Sequence, residues 1–256
     1  AYRGEDEGDH RGEQYMNYAV IFAGGTGQRM NTKTKPKQFL ELNGKPIIIH
    51  TLDKFEENPL IDAIVVVCVE AWLPYMRELL KKFFIKKVKW VVPGGDTGQH
   101  SIRNGLYTLW NDPTVEKDGL VLIHDGVRPL INGETISRCI ACAQENGNAI
   151  TVTAATETVI NVTPDGKVAA ILDRSACRLA RAPQTFRLRD IVGAHQKAET
   201  EHVENMIDSA MLMSHYGFTL HTVDGPAENI KITTPPDYYI FRAIYEAREN
   251  SQIWGL

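Results

Sequence analysis

Short apolar runs alternate with helix-period patterns along almost the whole chain. Tyr18-Ala-Val-Ile-Phe-Ala23, Ala63-Ile-Val-Val-Val-Cys-Val69, Val88 to Val92 (apart from Lys89), Leu120-Val-Leu-Ile123 and Ala149 to Ala154 are apolar or β-branched at successive positions. Strands of that kind are buried on both faces, which is the pattern of parallel sheets. Between them the spacing predicts helices over Pro46 to Glu57, Trp72 to Phe84, about Gln99 to Trp110, and Gly133 to Asn146. In the first, Ile48, Leu52 and Phe55 share one face.

The implied fold is α/β, a doubly wound, mainly parallel sheet with helices on both faces. Ligands of such sheets sit at the carboxyl ends of the strands. Gly24, Gly94 and His124-Asp125 each follow directly on a strand, so they are expected to converge on one edge. After Ala155 the rhythm changes. Thr158 to Val162, a Thr163-Pro-Asp-Gly166 turn and Lys167 to Leu172 read as a β-hairpin. An inserted hairpin does not fit the parallel order, so it is expected to project as an arm, spanning about residues 155–183, and to pack on a partner subunit. Helices over about Leu188–Glu199 and Asn205–His215, a strand at Phe218–Val223 and a last helix from about Asp237 complete the chain.

Composition narrows the classes. Of 256 residues, 43% are hydrophobic, enough for one sizeable core, and the net charge of -4 supplies no general field for nucleic acid. No apolar stretch reaches the ~18 residues of a membrane span and no signal peptide is visible, so the chain reads as cytoplasmic. Residues 1–15 are polar, acidic and aperiodic, and read as a tag remnant or disordered leader before a single domain over 16–256. Cys139 and Cys142 lie in a helical pattern without a second ligand pair, and read with Cys68 as ordinary thiols rather than a zinc or redox site.

The strongest chemical signal is Ala23-Gly-Gly-Thr-Gly-Gln-Arg-Met30, followed by Lys33, Lys35 and Pro36-Lys37-Gln38. Glycines straight after a strand let backbone N–H groups approach an anion. Arg29 and Lys37 add the positive charge that a triphosphate requires. The loop is not a Walker A sequence, and Gly25-x-Gly27-x-x-Met30 lacks the third glycine of a dinucleotide fingerprint. The bland alternative is a tight turn bearing solvated lysines.

This loop with its Pro-Lys-Gln resembles the signature of the cytidylyltransferases that act on polyol phosphates. Further motifs recur in family order: Gly94-Gly95-Asp96 with Ser101, His124-Asp-Gly-Val-Arg-Pro129, Ala182-Pro-Gln-Thr-Phe186 and Asn229-Ile-Lys-Ile-Thr233. The resemblance runs from about Met16 to Ile244. It implies a Rossmann-like nucleotidyltransferase fold and transfer of CMP from CTP to an acceptor phosphate, with release of pyrophosphate. It assigns Arg29, Lys37 and Lys231 to catalysis, and Ala23, Gly24, Gly25, Gly27, Gly95, Asp96 and Ser101 to the nucleotide. Asp125 is implied to hold Mg²⁺. Arg128, Thr158, Arg174 and Lys231 are implied to bind the acceptor, the arm reaching across a homodimer.

The chain departs from its relatives in three places. Gly98 stands where many carry an arginine, leaving part of the nucleotide contact to another group such as His100. Ala182 replaces a usual threonine, and Ile207 a polar residue of the methylerythritol-phosphate enzymes; both fall in the acceptor pocket. Two acceptors compete. 2-C-methyl-D-erythritol 4-phosphate, of isoprenoid precursor synthesis, is taken first as the commoner assignment. The alternative is D-ribitol 5-phosphate, of cell-wall polymers, towards which His-Asp-Gly-Val-Arg and Ile-Thr-Thr-Pro lean. A nicotinamide dehydrogenase is disfavoured by the missing glycine, and a non-catalytic nucleotide-binding protein by the presence of Arg29, Lys37, Asp125 and Lys231.

Overall fold

In the computed structural model, residues 15–23 and 35–254 are described. Seven strands form one sheet in the order β11-β7-β10-β6-β1-β4-β5. They are β1 (Asn17–Ala23), β4 (Ala63–Cys68), β5 (Val88–Pro93), β6 (Leu120–Asp125), β7 (Asn148–Ala154), β10 (Arg178–Arg187) and β11 (Thr222–Asp224). All neighbours pair in parallel except β10, which runs antiparallel to both β6 and β7. The mainly parallel, doubly wound reading therefore holds, with one reversed strand inside the sheet.

Alternate strand residues build the two faces. Ala19, Ile21 and Ala23 of β1 join a core under α1 (Ile47–Glu56), α2 (Leu73–Lys82) and α4 (Gly133–Asn146). Tyr18 and Val20 face the opposite core, under α3 (Gly98–Asn111), α5 (Leu188–Thr200) and α6 (Ser209–His215). Gly105 lets α3 lie close on the sheet. A Cβ there would stand 2.7 Å from Val20 Cγ1 and 2.9 Å from Val67 Cγ2. A third, smaller core joins Leu42 and Ile47 to Val127, Leu130, Ile232 and Phe241. It ties a two-residue-stranded hairpin, β2 (Glu41–Leu42) and β3 (Lys45–Pro46), to the loop after β6 and to the last helix, α7 (Pro235–Trp254).

The arm separates from the sheet as expected. β8 (Ile160–Val162) and β9 (Val168–Ile171) make their own two-stranded sheet, turning through Gly166 at φ +85°. Its apolar side chains have no core to enter, and Val162 and Ile171 are 60% and 70% exposed.

Several boundaries differ from the sequence reading. The arm, expected to run to about residue 183, gives way at Arg178 to β10, whose apolar run is too short and too punctuated by Pro183 to announce a ten-residue strand. The strand expected at Phe218–Val223 is Thr222–Asp224, because Gly217 ends α6 at φ +82° and the chain needs the next residues to reach the sheet edge. The helix expected from Asn205 starts at Ser209, where the Asp208 carboxylate accepts from the Met211 N–H. The β2–β3 hairpin carries too few apolar positions to show a period.

Candidate active site

Strand register brings the chemistry together. Phe22 lies opposite Asp125, Ala23 opposite Cys68, and Cys68 opposite Pro93, so β1, β4, β5 and β6 end along one edge. The expected convergence of Gly94 with His124-Asp125 is thereby met. Gly24, Gly25, Gly27 and Arg29 lie outside the described residues. Beyond that loop, Gln38 Nε2 donates to the Ala23 carbonyl at 3.0 Å, which seats Pro36-Lys37-Gln38 against the end of β1. Lys37 is buried there, in a short 3-10 turn. Its charge acts on Asp237, whose carboxylate accepts from the Thr233 and Thr234 N–H groups at 2.9 and 2.8 Å. Burial works against the Asp237 charge, but those donors and Lys37 hold its pKa below the usual value.

Asp125 closes β6 and is buried. Its Oδ2 accepts from Arg128 Nε at 2.7 Å and its Oδ1 from Lys231 Nζ at 2.9 Å. Burial alone would raise its pKa; the charges of Lys231 and Arg128, with their hydrogen bonds, outweigh it and hold the carboxyl well below the usual carboxylate range. Arg128 is nearly enclosed, whereas the Lys231 side chain is 42% exposed and faces outward. The pairing follows from backbone placement. Thr51 Oγ1 donates to the Gly126 carbonyl at 2.7 Å, and the Ile232 N–H to Val127 O at 2.9 Å. Next to Asp125, burial pushes His124 down to about 4, so its ring is neutral near pH 7.

The second glycine turn comes after β5. Ser101 of α3 is buried, and its Oγ accepts from the Gly95 N–H at 3.1 Å. Both glycines are needed for this approach: a Cβ on Gly94 would meet Ser101 Oγ at 2.9 Å, and one on Gly95 would meet His100 Cβ at 2.4 Å. Thr97, not Ser101, caps the helix, accepting from the His100 N–H at 3.1 Å. Asp96 and Gly98 are exposed beside it. His100, the candidate replacement for an arginine at Gly98, packs under Gly95 with its Nε2 4.0 Å from Glu204.

The acceptor candidates fall into two groups. Arg128 and Lys231 join Asp125. Thr158 and Arg174 are exposed on the arm, where Arg174 Nη1 donates to the Thr156 carbonyl at 3.0 Å. No contact among the described residues brings these two to Asp125. Ala182 is buried, and its carbonyl accepts from Asn229 Nδ2 at 2.6 Å. Ile207 is 87% exposed, one residue before the Asp208 whose Oδ2 accepts from Gln184 Nε2 at 3.0 Å.

One residue of this region carried no separate signal in the sequence. Arg181 Nη1 donates to the Asn229 carbonyl at 3.2 Å, the same oxygen that takes Arg128 Nη1 at 2.9 Å. Its place directly before Ala182-Pro183 was the available clue. Among the described residues there is no group of three or more His, Cys, Asp or Glu able to hold a metal by themselves. Asp125 fits a hard cation held mainly by ligand phosphates: it is ionised, and a carboxylate keeps lone pairs after two hydrogen bonds. Cys139 belongs to the core, its thiol pushed up to about 11 by burial and bonded to Thr151 Oγ1 at 3.2 Å.

A cleft of about 840 Å³ opens at the other edge of the sheet, lined by Asn17, Leu120 and Arg187 among others. It lies at the amino ends of β1 and β6, and its Arg189 is already paired with Asp118 at 2.8 Å. The excess positive charge and the Gly94-Gly95 turn are at the carboxyl edge, where such sheets place ligands.

The doubly wound, mainly parallel sheet is that of an α/β nucleotidyltransferase fold. Residues 17–247 match the 2-C-methyl-D-erythritol 4-phosphate cytidylyltransferase family, and the chain belongs to it. It is 54% identical over 240 residues to a ribitol-5-phosphate cytidylyltransferase of Vibrio parahaemolyticus, covering 94% of this chain and 100% of that one. Identity to a 2-C-methyl-D-erythritol 4-phosphate cytidylyltransferase of Syntrophus aciditrophicus is 38%, over 91% and 97% of the two chains. Among solved structures, 4-diphosphocytidyl-2C-methyl-D-erythritol synthase of Anaerococcus prevotii superposes with a TM-score of 0.79 at 27% identity, over 91% and 97%. The chain is a cytidylyltransferase.

Proposed function

We propose that this enzyme transfers CMP from CTP to D-ribitol 5-phosphate, as a Mg²⁺-dependent homodimer of the cytoplasm, where its donor is made. The observation that carries the acceptor is the difference between 54% identity to a ribitol-5-phosphate enzyme and 38% to a methylerythritol-phosphate one, both over nearly full length. It reverses the order in which the sequence reading ranked the two acceptors. The acceptor side supports it. Ala182 contributes only backbone, and Ile207 presents an apolar surface where a methylerythritol-phosphate enzyme is expected to be polar.

The reaction needs no protein nucleophile. An oxygen of the acceptor phosphate attacks the α-phosphorus of CTP, the bond to the bridging oxygen breaks, and pyrophosphate leaves with the electron pair. Two anions must meet while charge builds on the leaving group, so catalysis rests on positioning and fixed positive charge. We assign Arg29 and Lys37 to the triphosphate and the leaving pyrophosphate, beside the backbone of Ala23, Gly24, Gly25 and Gly27. Gly95, Asp96 and Ser101 hold the cytidine. Lys231 and Arg128 receive the acceptor phosphate, and Asp125 is the protein ligand of Mg²⁺. That ion, when bound, supplies charge neutralisation at the phosphate oxygens. Asp125 also fixes both cations, one on each carboxylate oxygen, which positions them for one phosphate.

The exposed apolar arm supports the dimer. Ile160, Val162, Val168 and Ile171 are at least 46% exposed in one chain, and a second copy would cover them. Its Thr158 and Arg174 would then reach the neighbouring site.

Pyrophosphate release from CTP and Mg²⁺ tests the acceptor directly. D-ribitol 5-phosphate is expected to give a kcat/KM on the order of 100-fold above that of 2-C-methyl-D-erythritol 4-phosphate. Equal or reversed values would overturn the acceptor, and turnover of neither would overturn the reaction.

A further inference from the structure

We infer that Arg181 is a third cation for the acceptor phosphate, beside Arg128 and Lys231; this rests on the reaction proposed above. The position is set by a break in the sheet. β10 pairs with β6 only from Gln184 to Arg187, and its register on β7 shifts between Ala180 and Gln184. Gln184 lies opposite Ile123, so in the antiparallel direction the unpaired Arg181–Pro183 stretch runs alongside His124 to Gly126. The bulge thus delivers residue 181 to the carboxyl edge beside Asp125. Bulges at sheet edges commonly re-aim a side chain in this way.

Its surroundings lack a counter-charge. The Arg181 guanidinium is half-buried and its hydrogen bond goes to a neutral acceptor, the Asn229 carbonyl at 3.2 Å, which Arg128 already occupies at 2.9 Å. Arg128, Arg181 and Lys231 gather at the Asn229 segment, Asp125 pairs with Arg128 and Lys231, and the neighbouring Glu228 is paired with Arg248, which leaves Arg181 without a carboxylate among the described residues. Burial and the charge of Arg128 both work against the Arg181 cation. Two guanidinium groups on one carbonyl oxygen repel each other, and a phosphate dianion between them and Lys231 removes that repulsion. One Nη1 bond to Asn229 leaves the remaining donors of the fork for phosphate oxygens.

The frame that holds the fork is rigid. Asn229 is fully buried and its Nδ2 donates to the Ala182 carbonyl at 2.6 Å, while Gln184 Nε2 donates to the Arg181 carbonyl at 3.2 Å. The backbone of residue 181 is therefore tied to the same segment that carries Lys231.

Arg181→Gln tests the charge while keeping a donor for the Asn229 carbonyl. The acceptor KM is expected to rise about 10- to 100-fold, the loss of a hydrogen bond to a charged group. The KM for CTP should stay within about twofold, and Arg181→Lys should recover part of the loss. Inorganic phosphate binding, measured by calorimetry with CTP filling the donor site, should weaken by a similar factor in the Gln variant. An unchanged acceptor KM overturns the assignment, as does an equal rise in both KM values. Unchanged phosphate affinity overturns it too, since the fork would then be reading hydroxyls. Should Arg181→Gln not fold, the same comparison is made between wild type and Arg181→Lys, where identical acceptor KM and phosphate affinity sink the idea. Wild-type enzyme that turns over no polyol phosphate overturns the reaction instead, and the phosphate titration still decides Arg181.

Discussion

Lys231 Nζ stands 2.9 Å from Asp125 Oδ1, across a pair in which the acid is buried and the base is 42% exposed. The asymmetry divides the labour of the cluster. An ammonium partly in solvent is screened, so it contributes less to stability than an enclosed guanidinium on the same carboxylate. Its exposed side leaves it free to take the role proposed for it at the acceptor phosphate. Arg128, enclosed on the other oxygen, contributes more to the folded state in addition to its proposed share of the phosphate.

Two substitutions separate these roles. Lys231→Met is expected to lower kcat/KM on the order of 100-fold or more, with a loss of denaturant stability of about 1–2 kcal/mol, smaller than that of Arg128→Met because the ammonium is partly solvated. Arg128→Met should lose activity as well, but also about 3–5 kcal/mol, because it strips a buried carboxylate of its enclosed partner. Urea titrations of both variants check this, and equal stability losses would contradict the division.

Lys37 is buried at the end of the glycine loop and is assigned to the leaving group. Lys37→Ala should reduce kcat on the order of 100-fold while the KM for CTP moves only a few-fold. Steady-state kinetics over a CTP series read both parameters. A rise confined to KM would place Lys37 in ground-state binding.

The arm makes a prediction about subunits. Ile160→Asp with Ile171→Asp should yield a monomer by analytical ultracentrifugation, with acceptor turnover lost. Mixing inactive Lys37→Ala and Arg174→Ala subunits should restore roughly a quarter of the activity, since half the dimers are mixed and each has one intact site. No recovery on mixing would put Arg174 in its own chain's site.

Gly105→Ala probes the closeness of α3 to the sheet. The new methyl meets two central valines at 2.7 and 2.9 Å. Overpacking of this kind costs about 1–3 kcal/mol, against about 1 kcal/mol gained in helix propensity. Net destabilisation, seen as a lower denaturation midpoint, is the expected outcome.

His195 supplies a pH dependence. It is buried between α3 and α5 with Arg103 and His100 facing it, and neither ring nitrogen has a hydrogen-bond partner among the described residues. Burial, then those charges, push its pKa down to about 4. The unfolded chain therefore binds a proton between about pH 6.5 and 4 that the folded chain refuses, and stability falls as pH falls through that window. The loss amounts to about 3 kcal/mol at its lower end. His195→Phe should reduce the slope of that part of the stability profile, measured by urea titration at successive pH values, with buried His124 supplying a similar remaining share; a profile as steep as wild type would remove His195 as a source.

Much of this was legible in the chain. Doubly apolar runs such as Ala63–Cys68 imply burial on both faces, and hence parallel strands, without any knowledge of neighbours. The Gly94 turn and His124-Asp125, each directly after a strand, were legible as neighbours on one sheet edge for the same local reason. The isolated β8–β9 hairpin was likewise readable, since Pro-Asp-Gly dictates the turn and a hairpin cannot enter a parallel order.

What the tertiary structure alone decided is pairing between distant segments. Asp125 and Lys231 are far apart along the chain, and no local pattern shows that one ammonium ends on one carboxylate oxygen while Arg128 takes the other. β10 was invisible because its neighbours, not its own period, make it a strand. Arg181 gained its place only through that strand's bulge. Periodicity reports how a segment meets the core, which is a local matter. The site depends on register and charge balance among segments that meet only when the sheet closes.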